Sequence, residues 1–151
     1  GSPLLTEEAM GCMRDMLVPL ADILTPNLPE AAALLGQSEA ENREAMCSQA
    51  KALLGLGARN VYLKGGHFES NESPDLMLTP KAEHWLESER IDTKNTHGTG
   101  CSLSAAIAAN KAGGASEIEA AYAAKRYIKR AIAEADRLQV GQGHGPVYHF
   151  L

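Results

Sequence analysis

Apolar residues along the chain follow two spacings, one typical of helices and one typical of short buried strands. Two short apolar runs, within 21–27 and 60–66, predict buried strands because each is followed by proline or glycine. "PEAAALLG" after the first run predicts a short helix closed by Gly36. Apolar positions three or four apart predict four longer helices, over residues 3–18, 41–56, 101–112 and 116–138.

The order of these elements predicts the fold class. Strand, helix, helix, strand implies parallel strands joined by helical crossovers. Residues 75–92 differ, because "DLMLTP" and "HWLESERI" flank a polar turn and predict an antiparallel hairpin at a sheet edge. The closing stretch "GQGHGPVYHFL" is too rich in glycine to form a helix. We therefore expect an α/β domain with a mainly parallel sheet and an edge hairpin.

Composition narrows the classes of partner. At 151 residues the chain has the length of one domain. Its 14 Lys and Arg against 19 Asp and Glu give a net charge of -5, which argues against nucleic acid and anionic membranes as partners. No window approaches the roughly 18 apolar residues of a membrane span, so we expect a cytoplasmic protein. Its 3 cysteines lack the spacing of a disulfide framework or a zinc site.

The stretch "NTHGTGC", residues 95–101, is the first candidate for chemistry. Gly98 and Gly100 allow a tight backbone turn with several N–H groups pointing the same way. The helix predicted at Cys101 adds unpaired donors and its positive dipole end, so the stretch predicts a phosphate-binding anion hole. That dipole also favours the thiolate of Cys101, which suits a general base. The alternative is an ordinary capped loop with Cys101 as a small buried residue.

Two further candidates follow the predicted strands. Asn27 and Glu30 lie just past the first strand, at the edge where open α/β sheets bind ligands, and could hold Mg²⁺ through water. The alternative is a turn residue followed by a charge in the first turn of a helix. Lys64 ends the second strand beside two glycines and could contact a phosphate, unless it is an ordinary surface lysine.

Lys125 lies in the middle of an apolar stripe of the last predicted helix. It either extends its stem to water or faces a bound nucleotide. His144 and His149 have no metal-ligand spacing and are expected on loops or at the surface. The other candidates lie at strand ends or at a helix start, so one cleft could collect them. Phosphoryl transfer is favoured, because it depends on positioning and on electrostatic stabilisation.

Five strings carry a resemblance to a known family: "LTPNLPEAAALL", "KGGH", "SPD", "TKNTHGTGCSLSAAIAA" and "GHGPVYHF". They closely resemble the hydroxymethylpyrimidine/phosphomethylpyrimidine kinases of thiamine biosynthesis, which belong to the ribokinase-like superfamily. The resemblance implies a ribokinase-like three-layer sandwich that uses ATP and Mg²⁺. It also implies two successive phosphorylations, of 4-amino-5-hydroxymethyl-2-methylpyrimidine and then of its monophosphate.

The same resemblance assigns roles to residues. Cys101 matches the catalytic base of the family, and the anion hole is matched by Gly98, Thr99 and Gly100. The positions matching cofactor contacts are Asn27 and Glu30 for Mg²⁺ and phosphates, with Glu30 as metal ligand, Lys64 for phosphate, and Thr99 and Lys125 for the nucleotide.

The resemblance extends over nearly the whole chain but only over the carboxyl-terminal portion of family members. It implies a single domain over residues 1–151 that lacks the amino-terminal half and most pyrimidine contacts. The shortened sheet would expose an edge, and pairing of two chains there as a homodimer stays open. Two alternatives remain: a pyridoxal kinase of the same superfamily, and a catalytically silent nucleotide-binding fragment.

Overall fold

The computed structural model describes residues 6–66 and 72–151, so His67 of "KGGH" lies outside the described residues. These residues divide between two compact units, Gly1–Glu87 and Ser88–Leu151. None of the described helices is long and apolar enough to span a membrane. The described helices are α1 (Glu7–Cys12), α2 (Leu28–Leu35), α3 (Arg43–Gly55), α4 (Thr99–Ala112) and α5 (Glu117–Ala133), and the strands are β1 (Val61–Lys64), β2 (Asp75–Leu78) and β3 (Glu83–Leu86).

The first unit contains one three-stranded sheet with the order β1-β2-β3. Both strand pairs are antiparallel, with Val61 opposite Leu78 and Leu76 opposite Trp85. Strands β2 and β3 form the predicted hairpin, and β3 is the edge strand. The expected α/β class and the hairpin are therefore confirmed.

The expected mainly parallel sheet is not confirmed in the described residues. The first predicted strand runs parallel to β1 but forms only isolated bridges, between Leu24 and Val61 and between Asn27 and Lys64. The Lys64 N–H donates to the Pro26 carbonyl at 2.9 Å. Pro26 has no N–H to return to β1, so the ladder is interrupted there.

Apolar alternation along the strands builds the core of the first unit. Val61 and Leu63 of β1 and Leu76 and Leu78 of β2 contribute to a single buried cluster, as the period of two requires. Helices α2 and α3 both pack against β1. The cluster also contains Val18, Leu28, Ala31, Leu34, Ala40, Met46, Ala50, Leu53 and Ala58.

Tyr62 and Asp75, at strand positions between those of the apolar cluster, form a buried hydrogen-bond network. The Tyr62 hydroxyl donates to Asp75 Oδ2 at 2.8 Å, and the Gly65 N–H donates to Asp75 Oδ1 at 2.9 Å. Tyr62 is fully buried and Asp75 is 5% exposed. Burial, together with the neighbouring carboxylate, raises the pKa of Tyr62. The network fixes the turn after β1 to the start of β2.

The predicted helix over 3–18 is shorter and less regular than expected. Within the described residues, α1 ends at Cys12, and a π-helical turn, Met13–Leu17, and a 3-10 turn, Val18–Leu20, follow it. Pro19 in the 3-10 turn has no N–H to donate to the carbonyl four residues before it, so a regular α-helix cannot continue there.

In the second unit α4 packs against α5. Ser116 and Glu119 cap α5 through reciprocal hydrogen bonds, as the sequence "SEIE" favours. The predicted helix over 116–138 is α-helical to Ala133, and a 3-10 turn, Ala135–Arg137, follows. The closing stretch is not helical, as expected, and Pro146 within it forms a parallel bridge with His97.

Tyr62→Phe should lower the free energy of unfolding at neutral pH by about 1–3 kcal/mol, because the buried Asp75 carboxylate loses a donor. The difference should shrink above pH 10.0, the ordinary pKa of tyrosine. There the unfolded wild-type chain ionises Tyr62 while the native phenol stays protonated, so the wild type loses stability that the variant keeps. Urea unfolding at both pH values tests this, since the other tyrosines are common to both proteins. A difference that stays constant with pH would contradict it.

Candidate functional site

Asn27 and Glu30 form a capping box at the start of α2. Asn27 Oδ1 accepts the Glu30 N–H at 2.7 Å, and Glu30 Oε2 accepts the Asn27 N–H at 2.8 Å. Asn27 has the extended backbone typical of this position, with φ -86° and ψ 177°. The plainer alternative from the sequence thus describes their local role. The two hydrogen bonds also hold the Glu30 carboxylate in one place.

Lys64 lies beside this carboxylate. The isolated bridge between Asn27 and Lys64 aligns the end of β1 with the start of α2. Lys64 Nζ is 3.7 Å from Glu30 Oε2, and the Lys64 side chain is only 19% exposed, against 57% for Glu30. Lys64 is therefore not an ordinary surface lysine, because its stem is covered and its ammonium is held next to a carboxylate.

The Glu30 carboxylate can take part in holding Mg²⁺. This ion usually binds one or two carboxylates and completes its octahedron with water and substrate phosphates. Across residues 6–66 and 72–151, Glu30 Oε1 has no hydrogen-bond partner, so it remains available. The same residues contain no group of three His, Cys, Asp or Glu side chains placed to bind a metal. Glu30 thus fits an ion that takes most of its ligands from phosphate and water.

The turn after Lys64 requires glycine at one position. A Cβ on Gly65 would lie 1.9 Å from the Pro74 carbonyl oxygen, a distance no side chain tolerates. A Cβ on Gly66 would be 3.4 Å from Ser73 Oγ, an ordinary contact. Residues 73–75 are the "SPD" string, so the glycines of "KGGH" pack directly against a second motif beside Lys64.

The loop before α4 ends at a residue whose backbone conformation favours glycine. Gly98 is the N-cap residue of α4 and adopts the left-handed conformation, with φ 85° and ψ 0°. Only glycine takes up this conformation at low cost. The Gly98 carbonyl accepts the Ser102 N–H at 2.9 Å, and Thr99 Oγ1 donates to the Thr96 carbonyl at 2.7 Å. The helix therefore starts directly at Thr99, without a side-chain cap.

Three backbone donors in this loop have no partner. The N–H groups of Gly98, Gly100 and Cys101 donate to no acceptor in the part of the chain that the structure describes. They lie at the start of α4, a helix of 14 residues whose dipole adds positive potential. Cys101 is exposed, so it is not the small buried residue of the alternative interpretation. The arrangement can bind an anion next to an accessible thiol.

Lys125 lies on α5 of the same unit and is partly buried. The buried face of this helix is centred on Ala124 rather than on Lys125, and Tyr122, an aromatic residue nearby, is 43% exposed. Lys125 therefore flanks the apolar face. The residues buried on that face are Ala120, Ala121, Ala124, Ile128 and Ala131.

The sequence did not predict the contacts between residues 95–97 and residues 145–147. The His97 N–H donates to the Gly145 carbonyl at 3.0 Å, and the Val147 N–H donates to the His97 carbonyl at 3.1 Å. The Gly145 N–H donates to Asn95 Oδ1 at 2.9 Å. The glycines of "GHGP" were the available signal, but they indicated only the absence of a helix.

Comparison with known proteins identifies the family. The family model described as phosphomethylpyrimidine kinase matches residues 1–148. The chain belongs to the phosphomethylpyrimidine kinase family. The hydroxymethylpyrimidine/phosphomethylpyrimidine kinase of Salmonella typhimurium is 47% identical over 150 residues, which are 99% of this chain and 56% of the relative. The chain thus spans about half the length of the curated relatives it matches.

Solved structures of pyridoxal kinases share this fold. An ADP complex of the Bacillus subtilis enzyme matches with a TM-score of 0.90 and 40% identity, over 97% of this chain and 55% of that one. The Staphylococcus aureus enzyme in complex with AMP-PCP and pyridoxal matches with a TM-score of 0.91 and 30% identity, over 98% and 55%. This chain is therefore similar in structure to kinases that were solved with bound ADP or AMP-PCP.

The structure groups the predicted site residues within each unit. Asn27, Glu30 and Lys64 lie together in the first unit. The stretch 98–101 in the second unit forms one continuous loop and helix start, and α5 of that unit carries Lys125. The expectation that one cleft collects both groups stays a prediction.

Gly65→Ala should destabilise the first unit by roughly 2–4 kcal/mol, because its Cβ overlaps the Pro74 carbonyl and the turn must open. Gly66→Ala is the matched control, since its Cβ meets only an ordinary contact. Urea unfolding of both variants measures the difference. Equal stability of the two variants would show that the turn is not held as described.

Proposed function

We propose that this chain is the nucleotide-binding portion of a kinase that phosphorylates 4-amino-5-hydroxymethyl-2-methylpyrimidine and then its monophosphate, with ATP as donor. The observation that supports this most is that the N–H groups of Gly98, Gly100 and Cys101 have no partner among residues 6–66 and 72–151 and lie beside an exposed thiol, in a chain of this family. ATP use is supported by the ADP and AMP-PCP complexes of the similar kinases.

The anion hole stabilises the charge that phosphoryl transfer develops. The bond between the γ-phosphorus and the ADP oxygen breaks while the substrate oxygen bonds to phosphorus, and negative charge spreads over the transferred oxygens. Fixed N–H donors at Gly98, Gly100 and Cys101, with Thr99 between them, interact with these oxygens without reorganising. The left-handed Gly98 holds the donors in place.

Cys101 acts as the base. Its thiolate takes the proton of the substrate hydroxymethyl group as the oxygen attacks phosphorus. In the second step the acceptor is a phosphate monoester, which is already largely ionised at neutral pH and needs less help. A thiolate is sufficient in both steps, because a loose transition state requires only limited base assistance.

The capping box and Lys64 serve the phosphate chain of the nucleotide. Asn27 fixes Glu30, whose carboxylate would hold Mg²⁺ together with water and phosphate oxygens. Bound Mg²⁺ neutralises phosphate charge. Lys64, restrained beside Glu30, contacts phosphate as a point charge, and Lys125 lies on the nucleotide side.

A pyrimidine substrate is favoured over pyridoxal by sequence similarity. The Salmonella typhimurium pyrimidine kinase is 47% identical to this chain, against 40% and 30% for the two pyridoxal kinases. The pyridoxal alternative is retained because those pyridoxal kinases have the same fold, with TM-scores of 0.90 and 0.91. Release of ADP with each substrate, measured in a coupled assay of the full-length enzyme, distinguishes the two.

Substitution of the proposed base, Cys101, and of the proposed phosphate ligand, Lys64, should have different effects on turnover and on nucleotide binding. Cys101→Ala should leave the Kd for MgATP nearly unchanged and lower turnover of the full-length enzyme by roughly 10²–10⁴-fold, because only proton transfer is lost. Lys64→Ala should instead weaken MgATP binding by about tenfold. Calorimetry gives the affinities and the coupled assay gives the rates.

The controls are residues outside the proposed site. Cys12→Ala removes another exposed thiol, and Lys51→Ala removes a lysine paired with Glu83 at 2.7 Å. Neither should change binding or turnover. Unchanged turnover in Cys101→Ala would show that Cys101 is not the base.

A further inference from the structure

A segment that follows α5 returns to the loop of the candidate site. We call residues 145–149 the returning segment. Its Gly145 and Val147 bond to both sides of the His97 backbone, at 3.0 and 3.1 Å. His97 immediately precedes Gly98, so these bonds fix the residue that leads into the left-handed turn.

His149 ends this segment and joins it to both helices of the second unit. His149 Nε2 is 3.2 Å from Ser102 Oγ in the first turn of α4, and Nδ1 is 2.9 Å from the hydroxyl of Tyr127 on α5. The Tyr127 and His149 rings are stacked, with centroids 6.2 Å apart and planes at 16°. Both ring nitrogens are therefore engaged, and one of them reaches the residue next to Cys101.

The chemistry of these contacts makes them insensitive to the tautomer. Serine and tyrosine hydroxyls can each donate or accept a hydrogen bond. Whichever ring nitrogen of His149 carries the proton, Ser102 accepts or donates accordingly, and Tyr127 does the opposite. The link between the returning segment and α4 thus holds in both neutral forms of the imidazole.

The segment is also fixed at its start. Asn95 Oδ1 accepts the Gly145 N–H at 2.9 Å, while Asn95 Nδ2 donates to Asp136 Oδ1 at 2.8 Å. A Cβ on Gly145 would approach Asn95 Oδ1 to 2.5 Å, so a larger residue there would displace the Asn95 side chain from this contact. Asn95 and His97 of the loop are consequently bonded to the start of the returning segment, and Ser102 of α4 is bonded to its end.

A loop held in this way keeps its donors available. Glycine adopts the left-handed conformation of Gly98 without strain but is equally free to adopt others, so contacts from outside the loop are needed to keep the N–H groups of Gly98, Gly100 and Cys101 in place. We propose that His149 is a positioning residue of the phosphoryl-transfer site. It fixes the returning segment to α4 and so maintains the loop conformation in which the three N–H groups face an anion. The proposal rests on the proposed function.

The test compares the wild type with three variants. His149→Ala removes both contacts, His149→Gln keeps an amide that can reach Ser102, and Phe150→Ala changes a neighbouring side chain that is 77% exposed. The measurements are the Kd for MgATP, the amide hydrogen-exchange rates of His97 and Val147, and the thermal unfolding midpoint.

His149→Ala should weaken MgATP binding roughly fivefold, because two exposed hydrogen bonds contribute only modestly. Exchange at His97 and Val147 should accelerate by a similar factor. His149→Gln should recover most of both effects, and Phe150→Ala should change neither. If His149→Ala does not fold, Tyr127→Phe keeps the stacked ring, removes one hydrogen bond and should show a smaller change in the same direction.

The outcomes separate this proposal from the proposed function. If the wild type binds MgATP and His149→Ala binds equally well, the positioning role is overturned and the proposed function stands. If the wild type does not bind MgATP, the proposed function fails. In that case amide hydrogen exchange tests whether His149 fixes the returning segment to α4. Unchanged rates at His97 and Val147 in His149→Ala would overturn this role. Faster rates in His149→Ala that return toward the wild-type values in His149→Gln would support it. Equal loss of binding in His149→Gln and His149→Ala would also contradict the role assigned to the hydrogen bonds.

Discussion

The left-handed backbone at Gly98 is the constraint on which the candidate site depends. It lets α4 start at Thr99 without a side-chain cap, and it leaves the N–H groups of Gly98, Gly100 and Cys101 without acceptors in the described residues. A side chain at the cap position would satisfy donors that an anion needs. In the proposed function, the absence of a cap lowers local helix stability but leaves fixed donors, and phosphoryl transfer depends on such electrostatic preorganisation.

In the first unit, by contrast, the start of α2 has a side-chain cap. Asn27 and Glu30 form two reciprocal hydrogen bonds at the start of α2, and the buried pair of Tyr62 and Asp75 fixes the turn beside Lys64. These bonds determine where a carboxylate and an ammonium lie. The capping box is thus compatible with a role in ligand binding, because it orients a side chain whose second oxygen stays available.

Local patterns in the sequence predicted the local structure. Pro29 and Gly36 predicted α2, and "DLMLTP" with "HWLESERI" predicted the hairpin. The extent of parallel pairing was overestimated. The apolar run predicted a strand, but the missing N–H of Pro26 interrupts the hydrogen bonding of that strand to β1. The contacts of His149 with Ser102 and Tyr127 join residues far apart in sequence, so no periodicity indicates them. Family resemblance supplied the candidate site residues, and the structure was needed to show which N–H donors at the start of α4 have no partner in the described residues.

The most direct test of this account is a titration of the ¹⁵N-labelled chain with inorganic phosphate, followed by amide chemical shifts. Chloride at matched ionic strength is the control. The account predicts saturable shifts that are largest at Gly98, Gly100 and Cys101 and that chloride does not produce. Shifts that fail to saturate, or that are largest away from the start of α4, would contradict the claim that these amides form an anion site.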